Sequence, residues 1–180
     1  MSMRSAIEKW LSGEDCPVHE YAWVAAKDVP FGEDVREQCR MNYCGRYGKC
    51  WMCPPGCGDW QELRDGLRKY ENAFVFTTCT PLEDSYDVEG MAEGGKIHAA
   101  ADEELLRRIG EEGGSYTLTG AGSCTICAKC TYPDAPCRFP DKARRSMEAC
   151  GMNVVALSKL AGIHYINGQN TVTYFSALFF

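Results

Sequence analysis

Thr171–Phe180 reads TVTYFSALFF, and what it forms settles what kind of protein the rest can build. It is apolar, yet far shorter than the roughly 18 residues needed to span a bilayer. Its β-branched and aromatic residues are those of a buried strand. Just upstream, Asn167-Gly168 in NGQN is a turn signal. The segment IHYI (163–166) is therefore expected to form the first strand of a C-terminal β-hairpin, with 171–180 as its second. A buried strand needs a sheet, and three further runs offer one: VHEYAWVAA (18–26), AFVFTT (73–78) and SYTLTG (115–120).

Between these strands lie helical patterns. Residues 5–11 and 32–39 read as short helices. Asp59 and Glu62 have capping-box spacing, and Leu63, Leu67 and Tyr70 follow on one face. A polar, acidic loop through Asp87 precedes a helix over about 96–109, with Ile97, Ala101 and Leu105 on one side. A last helix is expected around 153–160. The fold class is α/β: a single layered domain over residues 1–180 with a mixed sheet, a C-terminal β-hairpin and two cysteine-rich loops. No internal repeat is present.

Composition narrows the function. Hydrophobic residues make up 45%, enough for a full core, so the 12 cysteines are not needed as covalent staples. The net charge of −6 argues against a nucleic-acid surface and against an anionic membrane. The opening MSMRSAIEKWLSGEDC lacks the apolar core of a signal peptide, which predicts a cytoplasmic protein. Thiols stay reduced there, and dense cysteine then points to metal more than to disulfides.

The cysteines gather in two stretches. In CTICAKCTYPDAPC (124–137), Cys124, Cys127 and Cys130 have C-x2-C-x2-C spacing, and Cys137 follows Pro136. Three thiolates so spaced wrap one corner of an iron–sulfur cubane, as in bacterial ferredoxin runs, although the last interval here is longer. Zinc is the alternative, normally drawing two separated C-x2-C pairs. The first stretch is looser: Cys39-x4-Cys44-x5-Cys50-x2-Cys53-x3-Cys57. Its Cys53-Pro54 matches the Cys-Pro ending of a ferredoxin run.

Taken together, these residues resemble a known pattern. Cys44-Gly45-x-Tyr47-Gly48-x-x-Trp51-x-Cys53-Pro54-Pro55, with Cys39 before it, is similar to the signature of a prokaryotic family of predicted metal-binding proteins, a domain of unknown function. The second half fits as well, through Cys124, Cys127, Cys130, Pro136-Cys137-Arg138-x-Pro140, Ser146-Met147-Glu148-Ala149-x-Gly151 and the closing VTYFSALFF. The resemblance implies metal binding by Cys39, Cys44, Cys53, Cys124, Cys127, Cys130 and Cys137, and implies no reaction. Two [4Fe–4S] clusters require about eight cysteine ligands. Cys57 is the expected eighth, because Pro54-Pro55-Gly56 can turn it back toward Cys53, while Cys50 beside Trp51 is expected to face the core.

Other candidates have plainer readings. Cys16, Cys79 and Cys150 are expected to be packing residues, and His19, His98 and His164 structural or surface side chains. Tyr47 and Trp51 either shield a cluster from water or anchor the loop. Arg138 neutralises cluster charge or receives an anionic substrate, and Arg144 and Arg145 are assigned to a solvated helix face. The function expected is an iron–sulfur redox protein passing electrons to a partner protein. The alternatives are an iron–sulfur enzyme in which an incompletely ligated iron activates a small-molecule substrate, and a structural zinc module.

Overall fold

The computed structural model describes residues 2–180. They form one layered α/β domain with α1 (Met3–Leu11), β1 (Glu20–Ala25), α2 (Glu33–Met41), α3 (Trp60–Leu67), β2 (Asn72–Pro81), α4 (Val88–Gly110), β3 (Thr117–Thr119), α5 (Val154–Ala161) and β4 (Thr171–Phe179). The strands make one sheet in the order β1-β2-β4-β3.

Why β2 and β4 read as continuous apolar runs is visible in their burial. They sit at the centre of the sheet, and both faces are covered. On one face Phe74, Phe76 and Leu178 pack against Ile7 and Trp10 of α1 and Leu105 and Ile109 of α4. On the other, Val75, Phe175, Ala177 and Phe179 pack against Leu67 of α3, Leu157 of α5 and Met147 and Met152. The alternation of strand side chains thus feeds two cores from one sheet. The cysteine loops emerge on the second face, beside a short 3-10 turn at Glu148–Cys150 that packs on α2 and α3.

Three expectations are corrected. Every strand ladder is antiparallel, so the sheet is not mixed; an isolated parallel bridge joins Gly120 to Ser146 outside the strands. Residues 163–166 form no strand, so there is no C-terminal hairpin. The His164 amide and Nδ1 instead bond the Glu20 carboxylate at 2.9 and 2.8 Å, which turns this segment sideways onto β1. The Asn167-Gly168 turn still delivers the chain into β4, which pairs with β2 and β3. Lastly, α4 begins at Val88, well before residue 96. Asp87 caps it by accepting from the Gly90 amide at 2.8 Å. Its glycine-rich first half is helical because it packs closely: a Cβ on Gly94 would lie 2.9 Å from the Thr80 hydroxyl.

No helix among the described residues is long and apolar enough to cross a membrane.

Candidate metal centre

The first cysteine loop begins where α2 ends. Asn42 takes a left-handed conformation at the helix C-cap, and its side chain accepts from the Tyr47 amide at 2.9 Å. The Gly48 amide then bonds the Pro54 carbonyl at 2.8 Å and closes the loop; Gly48 has φ of 68°, which favours glycine. The second loop is pinned at its base. The Gly120 amide bonds the Arg145 carbonyl at 3.2 Å, and the Met147 amide bonds the Gly120 carbonyl at 3.0 Å. Residues 121–145 therefore leave the fold and return to it at one place.

The loops close on each other. Trp51 Nε1 donates to the Ala135 carbonyl at 2.9 Å, and its ring meets Tyr132 edge-on at 4.8 Å between centroids. Gly56 sits at the tightest point: a Cβ there would be 2.7 Å from the Cys50 carbonyl and 2.8 Å from the Tyr132 ring. Arg46 ties the loops from the other side, donating to Ser123 Oγ at 2.8 Å and to the Cys124 carbonyl at 3.1 Å. The Pro54-Pro55 and Tyr132-Pro133 peptide bonds are cis.

This packing sorts the thiols into two cavities. Cys39, Cys44 and Cys53 line the first, of about 690 Å³, together with Arg46, Tyr47 and Glu148. Cys124, Cys127, Cys130 and Cys137 line the second, of about 270 Å³, and Cys50 joins them. Arg46 belongs to both linings and forms the wall between them. Cys50 is only 3% exposed, but it faces this cavity and lies against Cys53 of the first set and Cys130 of the second. Cys57 lines neither cavity. It is buried, its Sγ accepts from Arg36 Nη1 at 3.2 Å, and it faces the Ala149 carbonyl at 3.7 Å. Arg36 also donates to Ala149 and Gly58 carbonyls, which fixes it in place.

The electrostatics follow from burial. Burial pushes the Cys53 thiol up to about 12, with neighbouring Cys50 adding to the effect. Burial, then the Glu148 carboxylate, also raises Cys39, and burial raises Cys124. For Cys130 burial acts in the same sense, but the amides of Tyr132, Trp51 and Thr131 and the Cys50 thiol outweigh it, and its pKa falls. Arginines supply the opposing charge. Six of the other arginines pair with carboxylates: Arg4, Arg40, Arg64, Arg107, Arg108 and Arg144. Arg36, Arg46 and Arg138 bond instead to carbonyls, to Ser123 or to Cys57 around the cavities. Arg145, beside Cys137 in an adjoining cleft, keeps a buried Nε without a partner among the described residues.

Several residues fall elsewhere. Cys150 is a core residue next to Cys57, with its thiol pushed up to about 12 by burial. Cys79 lies in β2 opposite Thr173, and Cys16 packs against the α1–α4 core. His19 bonds Asn167, His164 bonds Glu20, and His98 is buried between Thr78 and Ser176 at 2.9 Å each. Arg144 and Arg145 are not on a helix: the Gly120–Ser146 bridge holds that segment extended at the loop base. Arg36 and Arg46 are functional-site residues that no sequence pattern marks. Arg46 stands at a variable place of the Cys44–Pro55 pattern, and Arg36 touches Cys57 only because α2 packs back on the 3-10 turn, so no spacing signalled either.

A zinc ion draws four ligands to about 2.0–2.3 Å of one point. Among the described residues no three His, Cys, Asp or Glu side chains are grouped to hold a single ion; the thiols face one another across cavities. The donor set, soft sulfur throughout with guanidinium close by, fits an anionic thiolate-bound metal centre.

A layered α/β chain whose cysteines surround two neighbouring cavities belongs to the class of cysteine-rich metal-binding proteins. The family of predicted metal-binding proteins designated DUF2284 matches residues 22–180, and the chain belongs to that family. No curated protein and no solved structure matches it.

Proposed function

We propose that this protein is a cytoplasmic iron–sulfur redox protein carrying two [4Fe–4S] clusters, which passes single electrons to a partner protein. The observation that carries this reading is the sorting of the thiols into two cavities that share one wall. Cys124, Cys127, Cys130 and Cys137 would hold the second cluster. Cys39, Cys44 and Cys53 would hold the first, with Cys50, against Cys53, and Cys57, close to Cys39 and Cys53, as the further thiols at hand. When bound, such clusters supply one-electron chemistry.

The chain's own residues would serve that chemistry in definite ways. Arg46, Arg36 and Arg138 offset the negative charge of thiolate-ligated clusters, and such charge and hydrogen bonding tune the potential. The Trp51–Tyr132 pair roofs the join between the loops and limits water there. Cys50 lies against one thiol of each set, so the two centres would be separated by little more than a single turn, Cys50–Cys53. The tandem C-x2-C-x2-C spacing of Cys124, Cys127 and Cys130 supports clusters over zinc, and the net charge of −6 argues against a nucleic-acid or anionic-membrane surface.

The deciding experiment is anaerobic purification followed by iron, acid-labile sulfide and zinc analysis. A brown protein with about eight irons and eight sulfides per chain is expected. A colourless protein with stoichiometric zinc and no sulfide would overturn the reading.

A further inference from the structure

The cysteine loops carry a charge opposite to that of the body they stand on. Residues 42–58 and 121–145 hold seven of the 19 lysines and arginines but two of the 25 acidic residues, which leaves the loops at +5 and the rest of the chain at −11. That positive charge is not shared evenly between the cavities. The first is lined by Arg46 and by acidic Glu148. The second is lined by Arg46, Lys49, Lys129 and Arg138 and by no acidic residue. The two carboxylates of the loops are not part of that wall: Asp134 lines the adjoining cleft, and Asp141 is in neither lining.

The four cations divide by how they are held. Arg46 donates to the Cys124 carbonyl at 3.1 Å and Arg138 to the Lys129 carbonyl at 3.0 Å, so both belong to the wall of the cavity. Lys49 and Lys129 are exposed, and their ammonium groups make no ion pair or hydrogen bond among the described residues. An unpaired lysine is a hydrated point charge on a flexible stem. It grips a small anion poorly but helps to draw in a large charged body. The same rim carries two apolar side chains, Ile126 and Phe139, which are 44% and 42% exposed. Apolar contact area set among charged groups is the make-up of a protein–protein interface.

We infer that the rim of the second cavity is the docking surface for an acidic one-electron carrier protein. The inference rests on the electron-transfer reading above and names the kind of partner that reading requires. Charge complementarity selects it: an acidic face meets Lys49 and Lys129 and covers Ile126 and Phe139, whereas a basic face is repelled at this rim. A long polyanion such as a nucleic acid would run off the loops onto a body of net charge −11. A small carrier needs only the loop face. The rim surrounds Cys124, Cys127, Cys130 and Cys137, so a docked carrier stands next to the centre those thiols hold. One electron passes between the two, one centre being oxidised as the other is reduced, and no bond is made or broken. Weak redox encounters use interfaces below about 1,200 Å², which suits a patch no larger than the rim of one cavity.

The test uses the full chain, purified or reconstituted anaerobically, with an acidic plant-type ferredoxin as the probe and isothermal titration calorimetry as the readout. Both proteins carry net negative charge, so repulsion between them as whole bodies would ease as salt is added. Docking on the loops predicts the reverse. The dissociation constant should rise about tenfold between about 0.01 and 0.15 M ionic strength, as the Debye length shrinks from about 30 to about 8 Å. Lys49→Glu combined with Lys129→Glu should keep the iron and sulfide of the wild type and raise the low-salt dissociation constant about tenfold. Lys49→Gln with Lys129→Gln should show a smaller loss in the same direction, and is the pair to read if the reversed charges disturb the loops. Lys9→Glu with Lys96→Glu makes the same change in net charge on α1 and α4, across the sheet from the loops, and should leave the constant within about twofold.

Ferredoxin that does not bind, that binds more tightly as salt is added, or that binds the Lys49 and Lys129 variants as well as the wild type would overturn the inference. So would either of two other occupants of the patch. One is a second copy of the chain, seen by sedimentation as an association that salt and the same variants abolish. The other is a single-stranded oligonucleotide that binds more tightly than ferredoxin and is lost in those variants. With about eight irons per chain present, each of these results leaves the cluster reading standing. Zinc without sulfide would remove both.

Discussion

Replacing Gly56 with alanine adds one methyl group where the two cysteine loops meet. Gly56 is not among the glycines with positive φ, so the backbone itself tolerates alanine. By restricting the unfolded chain, such a change ordinarily stabilises a protein by about 0.4–1 kcal/mol. The contacts decide otherwise here. The new carbon would lie 2.7 Å from the Cys50 carbonyl and 2.8 and 2.9 Å from two atoms of the Tyr132 ring, which packs on Trp51. Neither neighbour is a flexible side-chain end, so the loops must part. Overpacking of this kind costs about 1–3 kcal/mol, and the net effect is a loss of roughly 0–2.6 kcal/mol after the entropic gain is set against it. For a chain of this size each kcal/mol moves the melting temperature by about 2–4 °C. Gly66 in α3 is the internal comparison, because a Cβ there meets nothing within 4 Å and alanine is the better helix former. Thermal melts followed by circular dichroism should therefore move in opposite directions, Gly56→Ala down and Gly66→Ala up. Gly56→Ala should also bind less metal, since both cavities depend on the apposed loops. A Gly56→Ala protein that melts higher than wild type with undiminished metal would refute the packing of the loops described above.

Other outcomes follow from the same structure. Cys127→Ser should lose metal from the second cavity, because a serine oxygen is a poorer ligand for soft-metal clusters, while Cys79→Ser in β2 should keep the wild-type metal content; equal losses by elemental analysis would break the division into ligands and packing thiols. Phe74→Ala, at the sheet centre between α1 and α4, should cost about 3–5 kcal/mol in chemical denaturation, and a cost near that of a surface change would place the core elsewhere. Burial raises Asp102 to about 7 and lowers His98 to about 4. The raised acid is more stable protonated, so its contribution fades as pH rises from about 4 to 7; the depressed histidine must stay neutral, so its contribution fades as pH falls from about 6.5 to 4. The two slopes oppose each other, and wild-type stability should be nearly flat across that window. Asp102→Asn should expose the histidine slope, with stability falling toward acid, and His98→Gln the reverse. A steep wild-type profile, or parallel profiles in the two variants, would contradict the assignment.

What the sequence disclosed depended on whether a signal was local. β2 and β4 were legible because a strand buried on both faces needs apolar residues throughout, and 73–78 and 171–180 have them. The Asn167-Gly168 signal reported a reversal of the chain, but not which segment pairs with β4; the Glu20–His164 bonds that turn 163–166 aside join residues far apart in sequence. The start of α4 was hidden by Gly90, Gly94 and Gly95, poor helix formers by propensity, of which Gly94 is made useful by close packing on Thr80 and Val172. Of the cysteines singled out in the sequence, Cys39, Cys44 and Cys53 line one cavity and Cys124, Cys127, Cys130 and Cys137 the other, while Cys50, expected to face the core, joins the second and Cys57 lines neither. Ligand spacing was silent on that last division, because Cys50 and Cys57 are each equally close in sequence to Cys53 on the scale of a loop. Arg36, arriving from α2, is what holds Cys57 away.

The bridge between Gly120 and Ser146 also bears on how such a protein could arise. Two backbone hydrogen bonds, made by protein groups alone, bring the ends of the 121–145 excursion together. With the ends already adjacent, lengthening or shortening the stretch between them changes the entropy of closure only slowly, by about 0.6 kcal/mol per doubling. The excursion is thus a cassette set into the scaffold, and every strand of the sheet and both cores lie outside it. Lineages could exchange, enlarge or delete that cassette, and with it four of the chain's cysteines, without redesigning the sheet on which it stands.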